Sequence, residues 1–446
     1  MKKIYIVGIV LIQTFILNAQ NGLDVLFNWS DESISGENWV GNTYNEIWGV
    51  AQNGHEFAII GSTQGTHIFD ITNPEDGFLA AYIQGADDSP AIVHRDFHDY
   101  SGYLYAVADE GESSLQIIDI SQLPNSYNIV YDSDEYVKRA HNIFIDSQSA
   151  IMYVCGGRVL NEWNELAFFS LEEPQNPVFL GKYDDVGYIH DIYVKDDIGY
   201  LNAGDNGLFI VDFSDLGSPT ILGSLTDYPD KGYNHSGWLN PSGETYIFAD
   251  ENHGYEMKIC DVSNPNEITV NSTFLSGIDS NSIAHNLIIK DNYVYVSHYH
   301  DGLWIWDISN PSNPIVVGTY DTYLSEDHDS YRGAWGVYPL LPSGNILVSD
   351  MQSGLFVLSP IGNNNTDITE SKIDNYVYPN PFTEEFKIQS NKSEKIDVQI
   401  FDLNGKLLFS KKTENNKAIH PNLSDGIYFL EIKSKEKLSK EKIIRL

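Results

Sequence analysis

The chain has 446 residues, of which 42% are hydrophobic and 13% aromatic, and this composition excludes a disordered chain. Residues 371–446 contain 14 Lys+Arg and 11 Asp+Glu. The residues before them therefore contain 12 Lys+Arg and 52 Asp+Glu, and their net charge is −40. Such an acidic body excludes nucleic acid and anionic membrane surfaces as natural partners, whereas divalent cations and basic ligands suit it. Solubility in a salty medium explains the charge equally well.

Residues 1–19 are predicted to be a secretory signal peptide. Two lysines precede the apolar run "IYIVGIVLIQTFIL", and cleavage is expected after Ala19. The run is too short and too interrupted to favour a membrane span, and no later stretch is apolar enough for one. We therefore expect export through the Sec translocon and no transmembrane segment in the mature protein.

Residues 20–360 contain seven copies of one pattern. Each copy begins a strand at a His or Trp, turns into a second alternating strand, and passes through a polar loop to a third strand ending in Asp. A Ser/Thr-Asn-Pro turn then leads to a fourth strand. The first positions, spaced by 45 to 50 residues, are Trp48, His94, His141, His190, His235, His285 and Trp335. Four short strands at this interval predict an all-β, seven-bladed β-propeller.

The ring of blades also has to close. The seventh copy ends at Pro360 after only three strands, and the segment "LDVLFNWSDE" before Trp48 has the character of a fourth strand. We therefore predict that residues near Val25–Trp29 form the outer strand of the last blade and remove a sheet edge. The two cysteines, Cys155 and Cys260, lie in apparent strands of different copies, so buried thiols are expected instead of a disulfide.

The histidines are the first candidates for a functional site. The entrance of an inner strand and the loop between the second and third strands share one face of a blade, so side chains from both are expected at one mouth of the central channel. The candidate metal ligands are His94, His141, His190, His235 and His285. The expected rim of the same mouth consists of Asp109, Asp205, Asp250, Glu251, His298, His300 and Asp350.

Two interpretations of these histidines stay open. Neutral imidazole is a common ligand of zinc, iron, copper and nickel, so a divalent metal ion is a possible cofactor. A bound metal is then expected to leave below about pH 6, because ordinary imidazoles protonate near pH 6.5. Alternatively, each imidazole packs against its neighbour and bonds to backbone, and the two Trp at matching positions favour this structural role. The Arg95-Asp96 pair could also bridge the mouth.

The sequence does not define a catalytic mechanism. It contains no Gly-x-Ser-x-Gly elbow, no His-Glu-x-x-His motif, and no glycine-rich phosphate loop between a strand and a helix. The first hypothesis is a binding module for an unknown extracellular ligand or protein. The alternative is a metal-dependent hydrolase or oxygenase that works at the His-lined mouth.

The propeller resembles LVIVD-repeat propellers of the family named "choice-of-anchor B". The resemblance covers about residues 24–359 and rests on segments such as "AHNIFID", "YIHDIYV", "YNHSGWL" and "IAHNLIIKDNYVYVSHYHDGLWIWDISNP". It implies that members end in different surface-attachment or sorting modules, and it implies no catalytic residue.

The end of the chain follows a polar linker over residues 361–375. Residues 376–446 alternate again and predict a small antiparallel β-sandwich. They resemble a type IX secretion C-terminal sorting domain of Bacteroidota through Tyr378, Pro379, Asn380, Pro381, Asp402, Gly405, Lys406, Gly426 and Tyr428. The resemblance implies passage through the periplasm, export by the type IX machinery, and cleavage of the tail with release or attachment at the outer-membrane surface.

Overall fold

The computed structural model describes residues 23–325, 328–362, 375–378, 382–390, 395–402, 406–414, 417–424, 426–433 and 438–445. The chain divides into two compact units, Met1–Asn364 and Asn365–Leu446. The predicted signal peptide and most of the predicted linker lie outside the described residues. The all-β class is confirmed, and helical structure in the described ranges is limited to two 3-10 turns, Pro74–Asp76 and Pro265–Glu267.

The described strands of the first unit form seven four-stranded antiparallel sheets. Strand β1 (Val25–Trp29) precedes the first blade. Blade one contains β2 (Tyr44–Gln52), β3 (His55–Ser62), β4 (Gly65–Asp70) and β5 (Phe78–Gln84). Blade two contains β6 (Arg95–Tyr100), β7 (Tyr103–Ala108), β8 (Leu115–Asp119) and β9 (Asn128–Ser133). Blade three contains β10 (Val137–Asp146), β11 (Ile151–Val159), β12 (Glu162–Ser170) and β13 (Val178–Lys182). Blade four contains β14 (Asp191–Lys195), β15 (Ile198–Asn202), β16 (Leu208–Asp212) and β17 (Thr220–Leu225).

The remaining blades repeat this order from an inner to an outer strand. Blade five contains β18 (Asn234–Leu239), β19 (Thr245–Asp250), β20 (Met257–Asp261) and β21 (Thr269–Phe274). Blade six contains β22 (Leu287–Lys290), β23 (Tyr293–Ser297), β24 (Leu303–Asp307) and β25 (Ile315–Tyr320). Blade seven contains β26 (Ala334–Tyr338), β27 (Ile346–Asp350) and β28 (Gly354–Leu358). The seven-bladed propeller is therefore confirmed.

Strand β1 closes the ring, as predicted. It pairs antiparallel with β28, and the sheet order is β1-β28-β27-β26. The Asp24 amide donates to Ser359 Oγ at 3.0 Å, and the Ser359 amide donates back to the Asp24 carbonyl at 2.9 Å. The Trp29 indole packs between Tyr44 and Phe69 of blade one, with ring centroids 5.5 and 4.7 Å away. One short strand thus joins the last blade to the first.

The repeated Asp at the end of the third strand has a structural role. Its carboxylate accepts the backbone N–H two residues further on, as in Asp70 to Thr72 at 3.0 Å and Asp307 to Ser309 at 2.8 Å. These bonds fix the turn into the outer strand. The core lies between the blades, where the buried faces of neighbouring sheets meet, and Cys155 and Cys260 are buried free thiols there, as expected.

The second unit contains two sheets that share one hydrophobic core. The first is β29 (Asn375–Tyr378), β30 (Phe386–Ser390) and β33 (Ala418–Ile419). The second has the order β32 (Leu407–Glu414), β31 (Lys395–Phe401), β34 (Gly426–Lys433) and β35 (Leu438–Arg445). Buried side chains from both sheets, such as Phe386, Val398 and Leu430, form the core. The predicted small β-sandwich is confirmed.

The closure can be tested at Trp29. Replacing Trp29 with Ala removes its contacts with blade one, and we expect the free energy of unfolding to fall by about 2 kcal/mol, less than for a fully buried Trp. Urea unfolding followed by far-UV circular dichroism measures the change. The control is Trp39→Ala, because the Trp39 side chain is 76% exposed and its loss should change little. Equal stability of the two variants would contradict a stabilising closure.

Candidate functional site

The inner strands β2, β6, β10, β14, β18, β22 and β26, with the one or two residues before β6, β14 and β22, build the central channel as three layers of side chains. The mouth layer consists of His94, His141, His190, His235, His285 and Trp335. The acidic layer below it consists of Glu46, Asp96, Asn142, Asp191, Ser236 and Asn286. The aromatic belt is deeper and consists of Trp48, His98, Phe144, Tyr193, Trp238, Ile288 and Tyr338. Each blade from three to six supplies one residue to every layer.

The mouth layer is a continuous ring of side chains that pack against one another with tilted or edge-on ring planes. The structure brings all five predicted histidines together, with neighbouring ring centroids 4.0 Å apart at the closest pair, His190 and His235, and 5.2 Å apart at the widest, His94 and His141. Trp335 completes the ring between His285 and His94, at 4.3 and 5.1 Å. The ring surrounds an open cavity of about 330 Å³. Whether it holds a metal stays a prediction.

The assignment of matching positions was wrong in the first two blades. Trp48 lies in the aromatic belt, where its partner is His98 at 4.6 Å, and blade one supplies no side chain to the mouth layer. The inner-strand position that matches His141 is Arg95 in blade two, and His94, one residue earlier, takes its place in the ring. The mouth layer therefore contains one Trp, Trp335, and only this residue supports the structural interpretation of the histidines.

Arg95 does not bridge the mouth. Its guanidinium points into the junction between blades one and two and donates to the carbonyls of Ser62, Thr63 and Asp87, at 2.7, 3.1 and 2.8 Å. Asp96 accepts the backbone N–H of Ile143 at 2.6 Å instead of pairing with Arg95. The predicted pairing across the mouth is therefore wrong.

Four of the five imidazoles of the mouth layer are held at Nδ1. His94 Nδ1 bonds to Glu110, and His141 Nδ1 bonds to Asp109 Oδ2 at 2.9 Å. His190 and His285 donate from Nδ1 to the carbonyls of His235 and Trp335 in the next blade, at 3.0 and 2.6 Å. A hydrogen bond at one ring nitrogen fixes the tautomer and leaves the other nitrogen, Nε2, as the acceptor.

Burial keeps three of these imidazoles neutral. It lowers the pKa of His190 and of His235 well below the ordinary value and lowers that of His285 to about 3. Burial also opposes the charged form of His94, but Glu110, Asp109 and Glu251 outweigh it and raise that pKa. The prediction that a bound metal leaves below about pH 6 assumed ordinary imidazole pKa values, which these three residues do not have. Neutral imidazole is the form that binds metal.

Glu251 approaches the mouth layer from the loop after β19. Its Oε2 lies 3.6 Å from His235 Nε2, and its Oε1 accepts the hydroxyl of Tyr299 at 2.6 Å. Burial raises the pKa of the Glu251 carboxyl to about 7, although the bond from Tyr299 lowers it. Two groups of side chains could each hold a metal ion, because their ligand atoms, one from each residue, lie within 4.8 Å of one another. The first group is His235, Glu251 and His285, and the second is His94, Asp109 and Glu110. Sequence reasoning missed Glu110 because it followed only the first acidic residue of that loop.

Three of the predicted rim carboxylates lie elsewhere. Asp205 is exposed in the turn after β15. Asp250 is fully buried and pairs with Lys258 Nζ at 2.7 Å, within a network that includes the hydroxyl of Tyr228. Asp350 accepts the Thr322 hydroxyl at 2.7 Å, and burial raises its pKa to about 6. None of these side chains lines the cavities described for the channel.

His298 and His300 also lie away from the cavity, in a network around Asp301. His298 Nδ1 is 3.2 Å from Asp301 Oδ2, and His328 Nε2 is 2.8 Å from Asp301 Oδ1. His300 Nε2 donates to the Ser330 carbonyl at 2.7 Å. Burial acts against the Asp301 charge, but its hydrogen bonds, His298 first, hold its pKa below the ordinary range. These residues brace a loop instead of lining the mouth.

The acidic layer was not predicted. Burial and, second, the Asp96 charge raise the pKa of Glu46 and of Asp191 to about 8. Burial also raises the pKa of Asp96 to about 7. Asn286 Nδ2 donates to Glu46 Oε2 at 2.7 Å. The sequence did contain a signal for this layer, because the repeat position that directly follows the one occupied by His141 is polar in six of the seven copies. We read that residue only as part of a strand.

The sorting motif lies partly outside the described residues, which exclude Pro379, Asn380, Pro381 and Gly405. Tyr378 ends β29, and Gly426 begins β34. Asp402 caps the turn before β32, where its Oδ1 accepts the Lys406 N–H at 2.9 Å. Tyr428 is buried, and its hydroxyl donates to the Ser424 carbonyl at 2.7 Å.

Comparison with known proteins finds a family match in each of the two units. The LVIVD repeat model matches residues 186–227 and 282–322, which contain blades four and six. Two of the seven blades are therefore LVIVD repeats. The Secretion system C-terminal sorting domain model matches residues 376–445. This tail indicates a secreted or cell-surface protein that the type IX machinery exports.

A solved structure similar to the LVIVD-repeat propeller is the Cps50 (Swd1) β-propeller domain of Myceliophteria thermophila. The TM-score is 0.50 at 12% identity, and the match covers 71% of this chain and 96% of that one. At this identity the likeness shows the fold alone. No curated protein matches the chain. In the part of the chain that is described, no helix is long and apolar enough to cross a membrane.

The acidic layer predicts a pH dependence of stability. Because Glu46 has a pKa of about 8 when folded and about 4.5 when unfolded, the folded state holds an extra proton between these values. The stabilisation is fully present below pH 4.5 and is lost as pH rises through 8, at up to about 1.4 kcal/mol per pH unit. Glu46→Gln should therefore gain stability relative to the parent between pH 5 and 8.

Urea unfolding at pH 5, 6, 7 and 8 measures this difference. The matched control is Glu112→Gln, because Glu112 is an exposed carboxylate outside the channel. A stability difference between Glu46→Gln and the parent that stays constant with pH would contradict the raised pKa.

Proposed function

We propose that this protein is an exported propeller that binds a divalent transition metal ion at the mouth of its channel. The observation that carries the proposal is the cluster of His235, Glu251 and His285, whose ligand atoms lie within 4.8 Å of one another. Two imidazoles and one carboxylate match the donor set that zinc and non-haem iron sites use. His235 and His285 are each only 3% exposed, so the ligands need little further ordering on binding.

The surroundings of the cluster support binding. His285 is oriented through Nδ1 by the Trp335 carbonyl, and Glu251 is oriented by the Tyr299 hydroxyl, so partners outside the cluster fix two of the three ligands. His235 Nδ1 is a buried polar atom without a hydrogen-bond partner in the described structure. The acidic body raises the local concentration of cations.

A zinc titration tests the proposal. The full-length chain, freed of metal with a chelator, is titrated with Zn²⁺ by isothermal titration calorimetry, and one ion per chain is expected. His285→Ala should weaken binding at least tenfold, whereas His55→Ala should not change it, because His55 is 38% exposed and pairs with Asp70 outside the channel. Saturating Zn²⁺ should also raise the melting temperature of the parent but not of His285→Ala.

Unchanged zinc affinity in His285→Ala would contradict the site. So would the absence of binding in the parent together with a loss of stability in His285→Ala, which would leave the histidines as structural contacts between blades.

Metal-dependent hydrolysis or oxygenation is the second candidate function. It is favoured by the small number of protein ligands, because three donors leave coordination positions open toward the cavity of about 330 Å³. Zinc-loaded protein is assayed with p-nitrophenyl acetate, and iron(II)-loaded protein is assayed for oxygen uptake. Activity of the parent equal to that of His285→Ala in both assays would reject an enzyme at this site.

We further propose that residues 1–19 direct Sec export to the periplasm and that the sorting domain is removed during export. The "YPNP", "DLNGK" and "GIYFLEI" motifs support this route and a Bacteroidota origin. The His-led segments of the propeller, such as "AHNIFID" and "YIHDIYV", support the choice-of-anchor B assignment. In the native host, mass spectrometry of the extracellular protein should find no peptides from residues 376–446. A variant without these residues should accumulate in the periplasm. Secretion of that variant at the parent level would contradict the role of the tail.

A further inference from the structure

The lower part of the channel is a second cavity of different chemistry. It begins at the acidic layer. Its walls include Trp48, Phe144 and Trp238 of the aromatic belt, all half-buried, together with His98 and Ile288. The cavity is thus polar and acidic at one end and aromatic along its walls.

The aromatic belt presents a nearly continuous set of rings. Trp48 lies 4.6 Å from His98 and 4.9 Å from Tyr338, between ring centroids. On the opposite side, Tyr193 lies 4.8 Å from Trp238. Ring faces carry negative electrostatic potential, so they attract a cation placed over them.

Hydrogen-bond acceptors outnumber donors at the acidic end. Glu46, Asp96 and Asp191 bring three carboxyl groups, and Asn142 adds an amide Oδ1 that is buried without a hydrogen-bond partner. No Lys or Arg lines this second cavity among the described residues. Burial lowers the pKa of His98, whose Nδ1 faces the Asp99 carbonyl, so its ring brings no charge. A ligand that complements this end has to supply both positive charge and N–H donors.

We propose that this cavity binds a small organic cation, a primary ammonium ion carried on a hydrocarbon body. The ammonium group bonds to Glu46 and the neighbouring acceptors of the acidic layer, and the hydrocarbon body packs against Trp48, Phe144 and Trp238. The acidic layer lines both cavities, but this site uses none of the three proposed metal ligands and does not depend on a bound metal.

Other ligand classes fit less well. A bare metal ion makes no use of the aromatic walls, and an anion is repelled by the carboxyl groups. A neutral apolar molecule leaves the buried Asn142 oxygen without a donor, which costs binding free energy. A quaternary ammonium ion suits the rings but brings no N–H donor.

The test uses 2-phenylethylammonium as the probe, with 2-phenylethanol as its neutral counterpart. Isothermal titration calorimetry of the full-length chain is done in EDTA, so that the result is independent of any metal at the mouth. We expect the ammonium ion to bind one per chain and at least tenfold more tightly than the alcohol. Glu46→Gln should weaken binding of the ammonium ion at least tenfold, and Trp238→Leu at least fivefold.

The control Glu112→Gln removes an exposed carboxylate outside the channel and should bind like the parent. Melting curves establish that each variant is folded, and the near-isosteric Glu46→Gln decides if Trp238→Leu does not fold. Equal affinity for the ammonium ion and the alcohol would overturn the proposal, as would unchanged affinity in Glu46→Gln. Binding of Ca²⁺ that depends on Glu46, without binding of the ammonium ion, would assign the acidic layer to an inorganic cation and also overturn it.

Discussion

The closure of seven blades into one ring is the constraint on which the rest of the structure depends. Once β1 pairs with β28, the seven inner strands are held side by side around the axis, and equivalent positions of the repeats must lie at similar depths. His141, Asn142 and Phe144 show the result within one strand, because they occupy the mouth layer, the acidic layer and the aromatic belt in turn. Ile143, between them, is buried in the blade packing. A sequence repeat thus becomes a stack of chemically distinct layers.

The layers place unlike electrostatic environments close together. At the mouth, burial keeps imidazoles such as His285 neutral, which makes them acceptors. One residue further along the strands, burial and mutual repulsion keep Glu46 and Asp191 partly protonated near neutral pH. Buried carboxyl groups at this distance are costly for the folded state unless a proton or a cation compensates their charge. The channel is therefore suited to cations at two depths, with nitrogen ligands at the mouth and oxygen acceptors below.

The sequence was sufficient for the architecture because architecture depends on period and alternation. The spacing of the copies predicted seven blades, and the incomplete seventh copy predicted that Val25–Trp29 would close the ring. Depth along an inner strand was harder to predict, because Trp and His occur at both the mouth and the belt. Trp48 and His94 were consequently aligned with each other although they lie in different layers.

Loop side chains could not be placed from the sequence because their partners are distant in the chain or come from the next turn. Asp250 turns away from the channel to a buried Lys258, and Asp350 turns to Thr322, whereas Glu251, the residue after Asp250, reaches the mouth. No periodic signal distinguishes these cases. The acidic layer was missed for another reason: Glu46, Asp96 and Asp191 stand at one repeat position, but Asn, Ser and Gly occupy it in other copies.

Anomalous X-ray scattering at the zinc edge, from crystals of the full-length chain equilibrated with Zn²⁺, tests the central claim most directly. The account predicts one anomalous peak in the channel, within bonding distance of His235, Glu251 and His285. A channel without an anomalous peak, with zinc only at exposed sites such as His420, would contradict it and leave the ring of imidazoles as a contact that holds the blades in register.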